Sequence, residues 1–306
     1  MQNPREILPH TVSRSLLVIL LTCGLLTGVA FWNSFEVSAN HPVLVEGERD
    51  YDGDGLTGIA EDNDNANDRI FGTITAALGA ANGGANQNGR VVIVTSGRFH
   101  EQLNVTNANG NTTIEAAPGV EATIDAVGTG DRASQFPASN NTVRQGQPGV
   151  IINSPANRYA VLRNLVIRNW TDGIQVQGSS RVTIDNCRLE GNVNHGIQVL
   201  DNARVSITNS QVQSTGFRVG STGSFPSATN QPAPGIGIAY RGSSAGTIMA
   251  TTVSGSFGIG IGNFTGNAFG VRLLLVNAFD NSADYLGIKP TKGTVPVADS
   301  PFPPNQ

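Results

Sequence analysis

The sequence predicts an all-β chain wound as a right-handed parallel β-helix, with three short strands per coil and a short N-terminal capping helix. Three observations carry this expectation: an Asn recurring at near-constant spacing, apolar alternation of period two around each Asn, and a Gly-Ile dipeptide that recurs downstream. Alternation of period two marks a strand with one buried face.

The repeat is clearest in AVLRNLVIRNWTDGIQVQ from Ala160, VTIDNCRLEGNVNHGIQV from Val182 and VSITNSQVQSTG from Val205. Asn164, Asn186 and Asn209 share a register, with steps of 22 residues (164 to 186) and 23 residues (186 to 209). Two positions before them stand Leu162, Ile184 and Ile207; three positions after them stand Ile167, Leu189 and Val212. A third strand opens with Gly173-Ile174, Gly196-Ile197, Gly235-Ile236, Gly258-Ile259 and Gly287-Ile288. Strands of successive coils stack ~4.8 Å apart, so each residue meets its copy above and below. Under that constraint the Asn residues are either a buried amide ladder or turn formers in the left-handed conformation. Their equal spacing and matched apolar neighbours favour the ladder. The repeat decays downstream: Ala250 takes the Asn place, Asp280 stands where an apolar residue is expected, and 290–306 is a tail with five prolines.

Composition agrees with short strands and tight turns. Of 306 residues 39% are hydrophobic, 14% charged and 6% aromatic, with 37 glycines. The alternation excludes a disordered chain. The net charge is −4, from 19 basic and 23 acidic residues, and no basic stripe is present, which excludes nucleic acid as a partner. At the N-terminus Arg5 and Arg14 accompany an apolar run from Leu16 to Trp32, and Val37-Ser38-Ala39 supplies a small-residue cleavage pattern. Residues 1–39 therefore read as an export signal, with an uncleaved membrane anchor through 16–32 as the alternative. The chain is expected at the cell surface or secreted. Cleavage after Ala39 leaves Cys187 as the single cysteine, excluding an internal disulfide; its place in the repeat makes it a core filler.

The segment FGTITAALGAANGGANQNGRVVIVTSGRFHEQLNV places Ile74, Ala77, Leu78 and Ala81 on one apolar helical face, followed by a strand at Val91–Val94 and a turn at Gly97–Glu101. This succession resembles the opening of pectate-lyase-like β-helix proteins, over about residues 69–288. The resemblance implies a helix plugging the open end of the coil, and a polysaccharide or cell-envelope glycan lying along the outside of the Gly-Ile sheet. It implies a polysaccharide lyase or glycoside hydrolase where the fold carries catalysis, and the same fold also serves non-catalytic structural or adhesive proteins.

Ahead of the helix, in an acidic segment 40–68, DYDGDGLTGIAE runs from Asp50 to Glu61. Asp50, Asp52 and Asp54 fall at loop positions 1, 3 and 5, Gly55 at the sharp turn and Glu61 at position 12; Leu56 offers its carbonyl at position 7. Hard oxygen ligands at this spacing suit Ca²⁺. Pro42 and Gly47 exclude an incoming helix, so the motif is similar to the isolated calcium loops of dockerins and thrombospondin type 3 repeats.

For chemistry on the coils, the outward row following Gly-Ile is Gln175 and Gln177, Gln198 and Leu200, Gly237 and Ala239, Gly260 and Gly262. It holds neither the paired carboxylates of glycoside hydrolysis nor a row of cations for β-elimination on an acidic sugar. Asp172 and His195 each precede the Gly of a Gly-Ile strand, so they stack on adjacent coils. A His beside a carboxylate can serve as a general base, and an inert turn pair is the plainer reading. His100 and Glu101 are expected to be structural. Insertions between Val212 and Gly235 and over about 128–148 interrupt the coil, where function concentrates. In the first, Phe217, Arg218 and Phe225 are candidates to stack on a sugar, or to pack the loop down.

Overall fold

The computed structural model describes residues 43–45, 70–82, 89–107, 110–126, 147–216, 235–267 and 270–288. The segment 1–39 expected to direct export, the expected calcium loop Asp50–Glu61, the tail 290–306, and Phe217, Arg218 and Phe225 lie outside these residues. The described chain is a parallel β-helix. Its strands form a nine-stranded first sheet and seven-stranded second and third sheets. One coil runs through Tyr159–Arg163, Leu165–Arg168 and Asp172–Gly178, and the next begins at Arg181–Asp185 directly beneath.

The alternation decides what faces inward. In the first sheet Leu162, Ile184, Ile207 and Ile248 stack in register and are fully buried. Ile167, Leu189, Val212 and Val253 do the same in the second sheet, and Ile174, Ile197, Ile238 and Ile261 in the third. Each burial is worth about 1.5–3 kcal/mol against leaving the side chain in water, so every coil supplies its own share of one continuous core.

The third-sheet register agrees with the sequence expectation at Ile174 and Ile197 and departs from it in the later coils, by two residues and, in the last, by three. Ile197 pairs with Ile238 and Ile238 with Ile261, so the matching dipeptides are Gly237-Ile238 and Gly260-Ile261. Tyr285, not Ile288, meets Ile261. Gly173, Gly196, Gly237 and Gly260 thus form a column pointing inward. A Cβ on Gly173 would meet the Gly196 carbonyl oxygen at 2.6 Å, and one on Gly237 the Val253 Cγ1 at 2.5 Å. No side chain fits there.

The first turn corrects the amide ladder. Asn164, Asn186, Asn209, Ala250 and Leu275 all have positive φ, from 48° to 58°. Asn186 and Asn209 are exposed. Asn186 Nδ2 donates to Asn164 Oδ1 at 2.9 Å, but Asn209 Nδ2 donates instead to Asp185 Oδ1 at 3.0 Å. A one-residue left-handed corner turns its side chain outward, and Asn tolerates that conformation better than most residues. Asp280 (φ 56°) belongs to the second turn, with Asn169, Gly191, Ser214 and Gly255, all left-handed. It is a turn former and not a failed apolar position. The buried polar columns follow these corners. Cys187 N–H donates to Ser210 Oγ at 3.1 Å after the first turn. After the second, Trp170 N–H donates to Asn192 Oδ1 at 3.1 Å and Ser256 N–H to Asn281 Oδ1 at 2.8 Å.

Helix α1 (Ile74–Asn82) closes the N-terminal end. Its Ile74, Ala77, Leu78 and Ala81 are buried in the core, as their spacing predicts. Val43–Val45 lies between Ile70–Phe71 and Gly89–Ile93 in the first sheet. Glu101, fully buried, caps the helix: Ile74 N–H donates to its Oε1 at 3.0 Å and Thr75 N–H to its Oε2 at 2.8 Å. Two backbone donors that the helix leaves unpaired are thereby satisfied.

Two tests follow from this arrangement. Leu275 is 69% exposed in a left-handed corner that other coils give to Asn. Leu275→Asn should stabilise the chain by about 1 kcal/mol in urea unfolding, while Asn186→Leu should cost about 1–2 kcal/mol. Equal midpoints for all three proteins would remove backbone conformation as the selector. Burial pushes the Glu101 carboxyl above its ordinary 4.5, against the hydrogen bonds from Thr75 and Ile74. The folded state then holds this proton more tightly than the unfolded chain. The resulting stability is complete below pH about 4.5 and is lost as pH rises through the raised value. Glu101→Gln should remove that part of the pH dependence, measured by denaturant titrations from pH 4 to 8.

Candidate functional site on the third sheet

Asp172 and His195 open the strands Asp172–Gly178 and His195–Val199 and pair in register on adjacent coils. Each stands immediately before an inward glycine. His195 Nδ1–H donates to Asp172 Oδ1 at 2.6 Å, with side chains 8% and 12% exposed. The pair is therefore buried, where a turn pair would be exposed. A carboxylate in this position favours a proton on Nδ1, and in the neutral imidazole that leaves Nε2 with a lone pair. Nε2 is buried and has no hydrogen-bond partner among the described residues. Pro148 precedes Asp172 in this column and Ile236 follows His195.

Beside the pair runs the outer face of the sheet. Gln175 Nε2 donates to Gln198 Oε1 at 3.0 Å, an amide rung along the stack. With the corrected register the same column continues into Ala239 and Gly262. Gly237 and Gly260, expected to face out, point into the core instead. The adjacent column runs Gln177, Leu200, Arg241 and Phe264, tied by Leu200 N–H to the Val176 carbonyl, Arg241 N–H to the Val199 carbonyl and Phe264 N–H to the Tyr240 carbonyl. The Phe264 ring occupies the space above Gly262, where a Cβ would approach it to 2.5 Å. The Arg241 guanidinium lies 4.8 Å from that ring's centroid. This cation–aromatic pair covers the C-terminal half of the face and leaves Gln175 and Gln198 as the open amides next to the dyad. A shift of two residues in the Gly-Ile alignment would have brought Arg241 and Phe264 into view.

The architecture agrees with one family. The model for the right-handed beta helix region matches residues 84–271. The chain belongs to this family. No curated protein and no solved structure gives a match. Membership in the right-handed β-helix family fixes the hand and the stacking; the chemistry is left to individual side chains on the coils.

Two other buried reactive groups in this β-helix, Cys187 and Glu101, are held in structural settings. Burial pushes the Cys187 thiol up to about 12, and its Sγ lies 3.5 Å from the Asp185 carbonyl oxygen. A thiol so held is no nucleophile at neutral pH. Glu101 caps helix α1. Among the described residues no group of three or more His, Cys, Asp or Glu side chains could hold a metal ion. The loop Asp50, Asp52, Asp54, Leu56 and Glu61 lies outside them.

Proposed function

We propose that the chain is an exported β-helix protein that engages polysaccharides on the outer face of its third sheet, with Asp172 and His195 at the reactive edge. The observation that carries this reading is the dyad's place in its column. Pro148 and Ile236 flank it on neighbouring coils, so an apolar pair would fill these positions. A buried polar pair seldom stabilises a fold more than apolar residues of the same volume. Its use is then chemical: a carboxylate-oriented imidazole can take a proton from a bound sugar through Nε2. Gln175 and Gln198 supply amide donors and acceptors for sugar hydroxyls. Phe217 and Arg218 are proposed to approach the same ligand from the 212–235 insertion, and the apolar run 16–32 followed by Val37-Ser38-Ala39 supports export.

One observation favours a second reading, a non-catalytic structural or adhesive protein of the cell envelope: Nε2 of His195 is buried in the free chain. A panel of neutral and acidic polysaccharides separates the two. Incubation with the purified chain should give unsaturated products or new reducing ends, lost in both His195→Gln and Asp172→Asn. Binding in affinity electrophoresis without products selects the adhesive reading, and no binding at all sinks both.

The same proposal includes a calcium ion held by Asp50, Asp52, Asp54, Glu61 and the Leu56 carbonyl. Its support is the loop's spacing of hard oxygen ligands. Calorimetric titration with Ca²⁺ should show one main site that Asp50→Ala combined with Asp54→Ala abolishes. Stability should rise by about 1.4 kcal/mol per tenfold excess of ion over its dissociation constant. An identical titration in the variant would end the assignment.

A further inference from the structure

The outer face of the first sheet carries charge in two different ways. At one edge Glu115, Arg163 and Asp185 stack in register with alternating sign. Arg163 Nη1 lies 3.2 Å from Glu115 Oε2, and Arg163 Nε 3.2 Å from Asp185 Oδ2. Burial acts upward on the Asp185 carboxyl, but hydrogen bonds from Thr208, Asn209 and Arg163 outweigh it and hold the group below its ordinary value. Arg90 also reaches Glu115, its Nη2 2.5 Å from Oε1, so two arginines balance the two acids at this edge.

The opposite edge is not balanced. There the register stacks Tyr159, Arg181 and Arg204, bringing two guanidinium stems from adjacent coils to about 4.8 Å. Arg181 makes no ion pair among the described residues, and Arg204 Nη1 donates only to the Ser243 carbonyl at 3.0 Å. The nearby acids are engaged elsewhere: Asp185 as above, and Asp201 by the Gly178 N–H at 2.8 Å. Beside the two arginines run the Thr183, Ser206 and Thr247 hydroxyls, followed on the next coil by Arg272. Tyr159, which is 48% exposed, Arg181, Arg204, Thr183, Ser206 and Thr247 border a shallow groove of about 440 Å³. Like charges placed directly opposite one another on neighbouring strands are destabilising. Nothing in the core requires them, and no carboxylate among the described residues forms an ion pair with either, so both guanidinium groups are open to an anionic partner.

We propose that this groove binds an acidic polysaccharide laid along the axis of the β-helix. Its carboxylates pair with Arg181 and Arg204, a sugar ring stacks on Tyr159, and sugar hydroxyls meet Thr183 and Ser206. Arginine forks suit carboxylates in bidentate geometry, and an exposed tyrosine at the end of a cationic row suits a ring with one apolar face. Nucleic acid is disfavoured because the chain has a net charge of −4 and no broader basic surface to neutralise a run of phosphates. The groove lies on a different sheet from Asp172 and His195, and the proposal stands independently of that dyad.

The test measures binding of polygalacturonate to the full chain by calorimetry, with neutral dextran and double-stranded DNA as comparisons. Polygalacturonate should bind and dextran should not, with affinity falling as NaCl is raised. Arg181→Gln combined with Arg204→Gln should weaken binding at least tenfold while leaving the urea midpoint unchanged or raised. A structural role for the pair would instead lower that midpoint. Undiminished binding by the double variant, equal binding of dextran, or tighter binding of DNA would overturn the proposal. Arginine-dependent binding without products would count against the dyad's chemistry and not against this groove.

Discussion

Everything in this molecule depends on coils stacking in register. Because parallel strands repeat at about 4.8 Å, a residue's closest neighbours are the residues at the same position one coil above and below. A side chain must therefore suit two copies of its own site. The inward Ile and Leu columns meet that condition by stacking like on like in the buried core, and the glycine column meets it by having nothing to place between Gly173 and the Gly196 carbonyl. The corners meet it through backbone conformation: residues as different as Asn209, Ala250 and Leu275 share φ near 50° because the coils they join are superimposed. Side-chain identity varies there, and geometry does not.

Stacking has no natural end, which makes the termini the costly part of such a fold. An uncovered coil exposes apolar core and unpaired strand edges. At the N-terminal end helix α1 covers the core, and it depends on Glu101, whose carboxylate is buried to satisfy two backbone N–H groups. The desolvation that raises the Glu101 carboxyl is a cost of closing the coil, offset by the donors it pairs. Toward the C-terminus apolar side chains replace charges on the outside: Met249, Leu274, Leu275 and Leu286 are exposed, and the outward column that runs through Glu115, Arg163 and Asp185 ends in Met249 and Leu274.

The same constraint explains what could be read from the chain directly. The Asn164, Asn186 and Asn209 column was legible because one residue type recurs where one conformation recurs, although its exposure was not. The Asp172–His195 pairing was legible because both residues stand at one place relative to the repeat. The later third-strand register was not, since GIGIAY and GIGIGN each offer two Gly-Ile dipeptides and only contact with the coil above chooses between them. The buried column through Asn192, Thr215, Ser256 and Asn281 escaped notice because its members differ chemically. Asn192 and Asn281 serve backbone groups of the neighbouring coil through their side-chain amides, whereas the hydroxyls of Thr215 and Ser256 do not. Burial of the dyad was likewise invisible, since it depends on what the surrounding coils bring near and not on local sequence.

Columns that disobey the stacking rule are informative for that reason. Asp125, Arg168 and Glu190 alternate in sign on the second sheet, with Arg168 Nε 2.8 Å from Asp125 Oδ2, as Glu115, Arg163 and Asp185 do on the first. Such networks neutralise the repulsion that in-register charges would otherwise create, and they give the buried carboxylates of Asp125 and Glu115 cationic partners. Arg181 and Arg204 break the pattern by repeating a sign, and Asp172 and His195 break it by placing polarity between Pro148 and Ile236. In both cases substitutions that the fold readily accommodates would relieve the conflict: an acid in one column, an apolar residue in the other. Local conflict with the folding rules is where requirements other than folding are expected to lie. In a molecule whose other columns are so regular, that makes these two the places to look for a ligand.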